Sequence, residues 1–556
     1  MGSFVRIPQG YHDLYGIISQ VGATATPEAV ENLSLRGDRW LTVQLVGEIV
    51  EAAFERGISQ YPGINDEVHL VTEEDLGKIY GTKERGQITI GRLAGAESIS
   101  AQIDLDRLIT RHSAVLGSTG SGKSTTVTSL LRAIVGNSQE AAEYSNARIL
   151  ILDIHGEYSS ALSSVAKVFR VSPLQGEEKL VVPYWALDTG ALFAFLMGKL
   201  EDKAFAGIMD KVFSEKSVIL AREKFLGADP NAITADSPLP FSLRKLWLDL
   251  LDPEIKTWAD QAKTTPALVS AGDANTLLAP VYKPVAAGSA LPTANVVGVL
   301  SIRRQLSQLR SRLLDRRYDF LLHPGPWEPD LDGKIGKDLS DLLAEWLGHD
   351  KPITVLDLSG VPSSVLMQLI GSILNIIYEA LFWGRYMPEG GRSRPQLVVM
   401  EEAHRYLGKD ADGFARDMVQ RIVKEGRKFG VGAMIVSQRP SEIDDTILSQ
   451  CGTFVALRLS NAADRARVQS TLPDSLSGLV DSLPVLRTGE AIVTGEAAKL
   501  PVRLRINLPP VEARPGSEDP HVAEAWSEQR KPENYVRLSA AWRSQNPGWQ
   551  SDEAGE

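Results

Sequence analysis

Two stretches of this chain carry the residue types that phosphate chemistry needs. The first is Gly117-Ser118-Thr119-Gly120-Ser121-Gly122-Lys123-Ser124, a G-x-x-x-x-G-K-S loop that Thr125 continues. Glycines let backbone N–H groups curl around phosphate oxygens, and a helix N-terminus behind them adds partial positive charge. Lys123 has the reach for β- and γ-phosphates, and the Ser124 hydroxyl suits Mg²⁺. Residues 117–125 are therefore read as nucleotide contacts. The second stretch is Leu397-Val398-Val399-Met400 followed by Glu401-Glu402-Ala403-His404, an apolar strand delivering two carboxylates at its end. One carboxylate can hold Mg²⁺ through its water shell while the next orients and deprotonates an attacking water. Glu401 is assigned to the metal side, where such strands more usually carry Asp, and Glu402 to the water.

Other strand ends point into the same crevice. Asp153-Ile154-His155-Gly156-Glu157-Tyr158 closes Arg148–Asp153, and strand C-termini line the ligand crevice of a parallel sheet. Asp153 or Glu157 can there touch Mg²⁺ or sense a γ-phosphate. His155 has no second His or Cys at ligand spacing and is not read as a metal ligand. Ser437-Gln438-Arg439-Pro440 offers an amide, Gln438, to sense the γ-phosphate. Just before it, Arg421, Lys424, Arg427 and Lys428 lie on a helix. A planar guanidinium spreads charge over several phosphoryl oxygens, and in ring ATPases a neighbouring subunit supplies it. Arg427 is the chosen finger, with Arg421 and Arg439 as alternatives.

The elements that must position these groups are legible too. Ala114-Val115-Leu116 is an apolar strand entering the phosphate loop. The helix leaving it places Val127, Leu130, Leu131, Ile134 and Val135 on one stripe, with Gly136 as its C-terminal cap. Continuous apolar runs at 148–153, 353–357, 396–400, 432–436 and 454–458 alternate with helical stretches, which predicts an α/β fold with a mainly parallel sheet. Residues 1–95 read as short strands split by turns (15–18, 41–46, 67–71), which predicts a small N-terminal β-barrel. A helical insertion is expected at about 185–345. Its basic run, Arg303-Arg304, Arg310, Arg312 and Arg316-Arg317, suits a solvated or subunit-facing surface better than a DNA-contacting helix. A hairpin is expected from 490–495 and 502–506, and the tail from 509 to 556 reads as an extended arm with a helix near 533–544.

Composition sets outer bounds. At 556 residues, several domains are expected, and 43% hydrophobic with 23% charged residues is globular. A net charge of −11 argues against a general basic coat, although cations concentrated in a pore remain compatible with nucleic acid. The single cysteine, Cys451, leaves no internal disulfide and suits a reducing cytoplasm. No signal peptide stands out. The apolar run Val365 to Trp383, interrupted by Gln368, Asn375 and Glu379, reads as a buried helix rather than a membrane span.

Taken together, Arg111-His112, the 117–124 loop, Asp153 to Tyr158, Glu401 to His404, Glu425-Gly426-Arg427-Lys428 and Ser437 to Pro440 resemble the HerA family of hexameric DNA-translocating ATPases, over roughly residues 5–190 and 345–508. The resemblance implies a RecA-like P-loop ATPase core, an N-terminal barrel that docks partners, and a homohexamer threading double-stranded DNA with ATP and Mg²⁺. It also implies a nuclease in trans (NurA-type) or an antiphage effector such as a sirtuin-like protein, and an across-interface role for Arg111. No nuclease metal cluster is seen in the sequence, so cutting falls to a partner. An ABC-type ATPase is disfavoured because Leu476-Ser477-Gly478 comes after the acidic strand and lacks the second glycine. A membrane-tethered motor is disfavoured by the absence of spans. A secretion or conjugation ATPase, and a nucleotide-gated ring scaffold that activates an effector, remain open.

Overall fold

The structure, a computed structural model, describes residues 4–10, 12–22, 39–51, 53–80, 83–136, 144, 146–288, 290–409, 413–470, 480–516, 522–527 and 535–544. Leu476-Ser477-Gly478 lies outside the described residues. The chain forms two compact units. The first comprises 1–168, 350–359 and 378–529, and the second 169–349, 360–377 and 530–556.

The first unit is built on a large sheet whose middle is parallel. Its strands run in the order Ile353–Asp357, Arg148–Asp153, Gln396–Met400, Val431–Ser437, Ser113–Leu116 and Thr453–Ala456. Every residue of the first five but Arg148 is buried, as strands covered on both faces require, and this is why they read as unbroken apolar runs. The acidic strand Gln396–Met400 lies centrally, with Leu397 opposite Ile149 on one side and Gly432 on the other. Beyond Thr453–Ala456 the pairing turns antiparallel through Glu490–Gly495, Val502–Ile506, Gln87–Leu93 and Ala96–Asp104. Thus Gln87–Leu93, expected within the N-terminal module, is a strand of the large sheet. Its Ile88, Ile90 and Leu93 share one core with Val127, Leu131 and Val493.

The N-terminal strands Phe4–Gln9, His12–Gly22, Trp40–Val50, Ala53–Arg56 and His69–Leu70 form a five-stranded antiparallel sheet. Among the described residues no ladder joins Ala53–Arg56 to His69–Leu70, so the sheet is open where a closed barrel was expected. The last strand is only two residues long, too short to close it. The helix Glu73–Tyr80 ties this sheet down: Asp75 accepts from Arg6 Nη1 and Tyr15 Oη, both at 3.2 Å.

The second unit carries the helices Thr189–Met197, Asp202–Arg222, Leu243–Ile255, Arg303–Leu313 and Leu339–Leu347, with two two-stranded sheets between Thr257 and Ala294. Its basic helix is largely satisfied internally. Arg303 bonds the Glu254 carbonyl, Arg310 Nε donates to Leu277 O at 2.8 Å, and Arg312 lies 4.2 Å above the Phe195 ring. The helix Ser363–Trp383 is long and apolar enough to cross a membrane, yet Val365, Leu369, Ile370, Ile373, Leu374 and Tyr378 are buried inside the protein.

Candidate nucleotide site

The phosphate loop is wedged between strand ends. Gly117 N–H donates to Ser437 O at 3.2 Å, Ser118 N–H to Arg458 O at 2.9 Å, and Gly489 N–H to Ser121 O at 3.1 Å. Arg458 Nη2 also donates to Gly120 O at 3.1 Å. A Cβ on Gly117 would stand 2.5 Å from Ser121 Oγ and 2.9 Å from Leu457 Cβ, so no side chain fits there. Gly122 has φ +90°, a left-handed turn that brings the chain into the helix Lys123–Val135. Among the described residues no side chain caps that helix start, which leaves its first N–H groups for an anion. The expected stripe is buried and Gly136 caps the far end, donating to Arg132 O.

Opposite the loop, the two carboxylates converge on Lys123. Its ammonium is paired with Glu402 Oε1 and stands 3.4 Å from Glu401 Oε1, and all three side chains are buried. Gln438 links this group back to the loop: its Nε2 donates to Glu402 Oε1, and its Oε1 accepts from Thr119 Oγ1 at 2.6 Å. Glu402 sits at φ 45°, ψ 43°, a left-handed backbone costly for a non-glycine residue. The turn swings its carboxylate onto Lys123 instead of leaving it on the face that strand alternation would choose. His404 Nδ1 lies 3.1 Å from Glu402 Oε2 and 3.3 Å from Ser437 Oγ. Burial holds the His404 imidazole below its ordinary pKa, despite Glu402.

Glu401 is gripped from behind. Tyr158 Oη donates to its Oε2 at 2.7 Å, and Tyr406 Oη donates to its backbone O at 3.1 Å. Burial raises the Glu401 carboxyl to about 7, against the pull of Lys123. Its Oε1, like Ser121 Oγ, is buried without a hydrogen-bond partner among the described residues. An uncapped helix start, an ammonium, a hydroxyl at Ser124 and unsatisfied buried oxygens fit a nucleoside triphosphate with Mg²⁺.

Asp153 also has a structural part that its sequence position did not suggest. Its Oδ1 accepts from the N–H groups of His155, Gly156 and Glu157 at 3.3, 2.8 and 3.2 Å, and Oδ2 accepts from Tyr158 N–H at 2.8 Å. Burial pushes this carboxyl up to about 7 against those donors, with Asp357 adding to the rise. With hydrogen bonds to both oxygens, Asp153 shapes the turn that delivers Tyr158.

The arginines separate by edge. Arg439 is at the crevice edge, paired with Glu442 at 2.8 Å. Arg421 is committed within its own chain, bonded to Glu379 at 2.9 Å and 4.4 Å from the Tyr378 ring. Arg111 and Arg427 precede Ser113–Leu116 and Val431–Ser437, at the sheet edge away from the phosphate loop. Arg111 stands 3.5 Å from Glu496, whereas the exposed Arg427 side chain has no partner among the described residues. Sequence reasoning missed Tyr158 and Tyr406 as holders of Glu401 and Arg458 as a clamp on the loop. Tyr158 ends the noted Asp153 to Tyr158 run, but no spacing marks the other two.

A phosphate loop between parallel strands, a paired acidic strand end beside it and an amide bridging the two define a P-loop NTPase. The sequence matches the family profile "Helicase HerA, central domain" over residues 88–377 and "Helicase HerA-like C-terminal" over 361–509. The chain belongs to the HerA helicase family and is an ATPase. It is similar to the "DNA double-strand break repair helicase HerA" of Sulfolobus acidocaldarius, 26% identical over 466 residues that cover 84% of this chain and 77% of that protein. The protein of the same description from Pyrococcus furiosus is 23% identical over 530 residues, covering 88% and 82%. Among solved structures, VirB4 of Thermoanaerobacter pseudethanolicus aligns with a TM-score of 0.47 at 14% identity, covering 77% of this chain and 98% of that one.

Proposed function

We propose that this chain is an ATP-driven double-stranded DNA translocase that works as a homohexameric ring with a nuclease or antiphage effector as partner. The observation that carries the reading is the buried Lys123–Glu401–Glu402 group, tied to the phosphate loop through Gln438 and Thr119. A structural ion pair would not need the second carboxylate, the orphaned oxygens or the strained Glu402 backbone. Relatives described as repair helicases supply the DNA half of the reading.

In this scheme the loop N–H groups and Lys123 hold the triphosphate, so Lys123 must leave Glu402 when nucleotide binds. Freed, Glu402 accepts the proton of the attacking water, and Gln438 keeps its Oε1 aimed. Ser124 and Glu401 would hold Mg²⁺. The bound ion would supply charge neutralisation to the triphosphate. Arg427 of one copy reaches the γ-phosphate of the next. The N-terminal sheet is the docking face for the partner, and the site of action is the cytoplasm.

The test is steady-state hydrolysis by the purified chain with and without linear double-stranded DNA, using Glu402→Gln as the blank. Strong stimulation by DNA supports a motor. Robust hydrolysis that neither DNA nor DNA with partner alters defeats it and favours a nucleotide-gated scaffold.

A further inference from the structure

Glu402 is held by one oxygen. Lys123 Nζ and Gln438 Nε2 both donate to its Oε1. The other oxygen, Oε2, is buried with no hydrogen bond among the described residues. A buried carboxylate oxygen without a donor costs stability. At hydrogen-bonding distance from it stands the His404 imidazole, whose Nδ1 lies 3.1 Å from Oε2 and whose side chain is 15% exposed. The left-handed turn at Glu402 and the single 3-10 turn Ala403–Arg405 after it bring this ring back beside the carboxylate.

The surroundings decide what Nδ1 carries. Ser437 Oγ, buried at the end of Val431–Ser437, is 3.3 Å from Nδ1 and accepts the Arg439 N–H at 3.1 Å. Nδ1 therefore lies between a hydroxyl and a carboxylate. A lone pair there would face the Glu402 charge, whereas an N–H meets that charge as a donor. The carboxylate thus selects the Nδ1–H tautomer.

Nucleotide binding changes what Glu402 needs. With Lys123 on the triphosphate, the buried carboxylate keeps the neutral amide of Gln438 alone on Oε1. The place that Lys123 vacates on Oε1 faces the phosphate loop, which is where an attacking water must sit. Oε1 stays aimed at that water if the other oxygen is anchored.

We propose that His404 is the positioning residue for the general base, its Nδ1–H holding Glu402 Oε2 once Lys123 has left while Gln438 holds Oε1. This rests on the reading of Glu402 as the base and deepens it. The clamp joins two neighbouring strand ends, since Glu402 and His404 follow Gln396–Met400 while Ser437 and Gln438 stand at the end of Val431–Ser437.

The experiment uses the full chain and compares His404→Ala, His404→Asn and His404→Gln, with Glu402→Gln in the same assays. Hydrolysis at saturating ATP, binding of a fluorescent ATP analogue and melting temperature are measured for each. Asparagine carries an N–H near the Nδ1 position, whereas glutamine reaches the Nε2 position instead. His404→Ala should hydrolyse roughly tenfold or more slowly with analogue affinity within about twofold of wild type, because the aim of the base is lost and the phosphate loop is intact. His404→Asn should recover most of the rate and His404→Gln should not. Equal rates for the Asn and Gln variants overturn the proposal, as does wild-type hydrolysis by His404→Ala. Analogue binding that falls in parallel with hydrolysis overturns it in favour of a packing role. If His404→Ala does not fold, the comparison of Asn with Gln decides alone. Glu402→Gln separates the two readings. If it is inactive while His404→Ala is normal, the base stands and the clamp falls, and if it hydrolyses normally, both fall.

Discussion

Lys123 and Glu402, 279 positions apart in the chain, form a buried ion pair at the mouth of the phosphate loop. The residue proposed to hold the triphosphate and the one proposed to activate water therefore neutralise each other in this structure. Buried pairs contribute little net stability, but removing one partner strands the other. Lys123→Ala should abolish measurable ATP binding by calorimetry. It should also destabilise the nucleotide-free protein by about 3 kcal/mol, since Glu401 and Glu402 are then left buried together. A variant that stops binding ATP but melts at the wild-type temperature would show that the pair is not formed in solution.

Glu402→Gln keeps the hydrogen-bonding shape but cannot take a proton. We expect ATP binding close to wild type and hydrolysis reduced by roughly a hundredfold or more, the scale of general-base loss. Normal turnover would remove Glu402 from its assigned role. Because Glu402 is at φ 45°, Glu402→Gly should be as inactive yet more stable than a β-branched substitution, which a melting comparison reads directly.

Much of this site could be read from the chain, and what could not shares a physical cause. The phosphate loop, the acidic strand end and Gln438 are legible because their chemistry is local: glycines, a lysine and carboxylates at strand termini. The part Asp153 plays in its own turn was not legible, because an aspartate at a strand end looks the same whether or not its oxygens also accept from four backbone N–H groups. Tyr158 on Glu401, a contact across 243 positions, depends on strand order, which periodicity does not encode. The buried parallel strands were legible as unbroken apolar runs. The open N-terminal sheet was not, because alternation reports a half-buried strand without saying whether the last pairs with the first.

Glu215 and Lys216, adjacent on Asp202–Arg222, predict an unusual pH profile for the second unit. Burial pushes the Glu215 carboxyl up to about 7 and brings the Lys216 ammonium down to about 7. Lys216 Nζ donates to Ala235 O at 2.6 Å and Ser237 O at 2.7 Å. For Glu215 the unfolded chain gives up its proton first, so stability falls as pH rises from about 4.5 to about 7. For Lys216 the unfolded chain holds its proton longer, so stability rises from about 7 toward about 10. The melting temperature should therefore pass through a minimum near neutrality, and Glu215→Gln with Lys216→Met should flatten it. A monotonic wild-type profile over that range would contradict the burial of the pair.

The large sheet also dictates where the N-terminal module can be cut. Residues 1–82 hold the open sheet and the helix Glu73–Tyr80, whereas Gln87–Leu93 pairs with Val502–Ile506 on one side and Ala96–Asp104 on the other. Deleting 1–82 should leave a less stable chain that still folds and keeps a residual ATPase, because no ladder of the large sheet is lost, although Tyr15, Ile79 and Tyr80 leave the shared core. It should also lose its partner protein in co-purification, if the open sheet is the docking face. Deleting 1–95 removes a strand whose Ile88, Ile90 and Leu93 are buried against Val127 and Leu504, and should give insoluble protein, since burying each such side chain contributes roughly 1.5–3 kcal/mol. Soluble yield and hydrolysis rate of the two truncations decide the matter. Equal behaviour of the pair would mean that Gln87–Leu93 is dispensable to the core. Retained partner binding by the shorter deletion would move the docking face elsewhere on the chain.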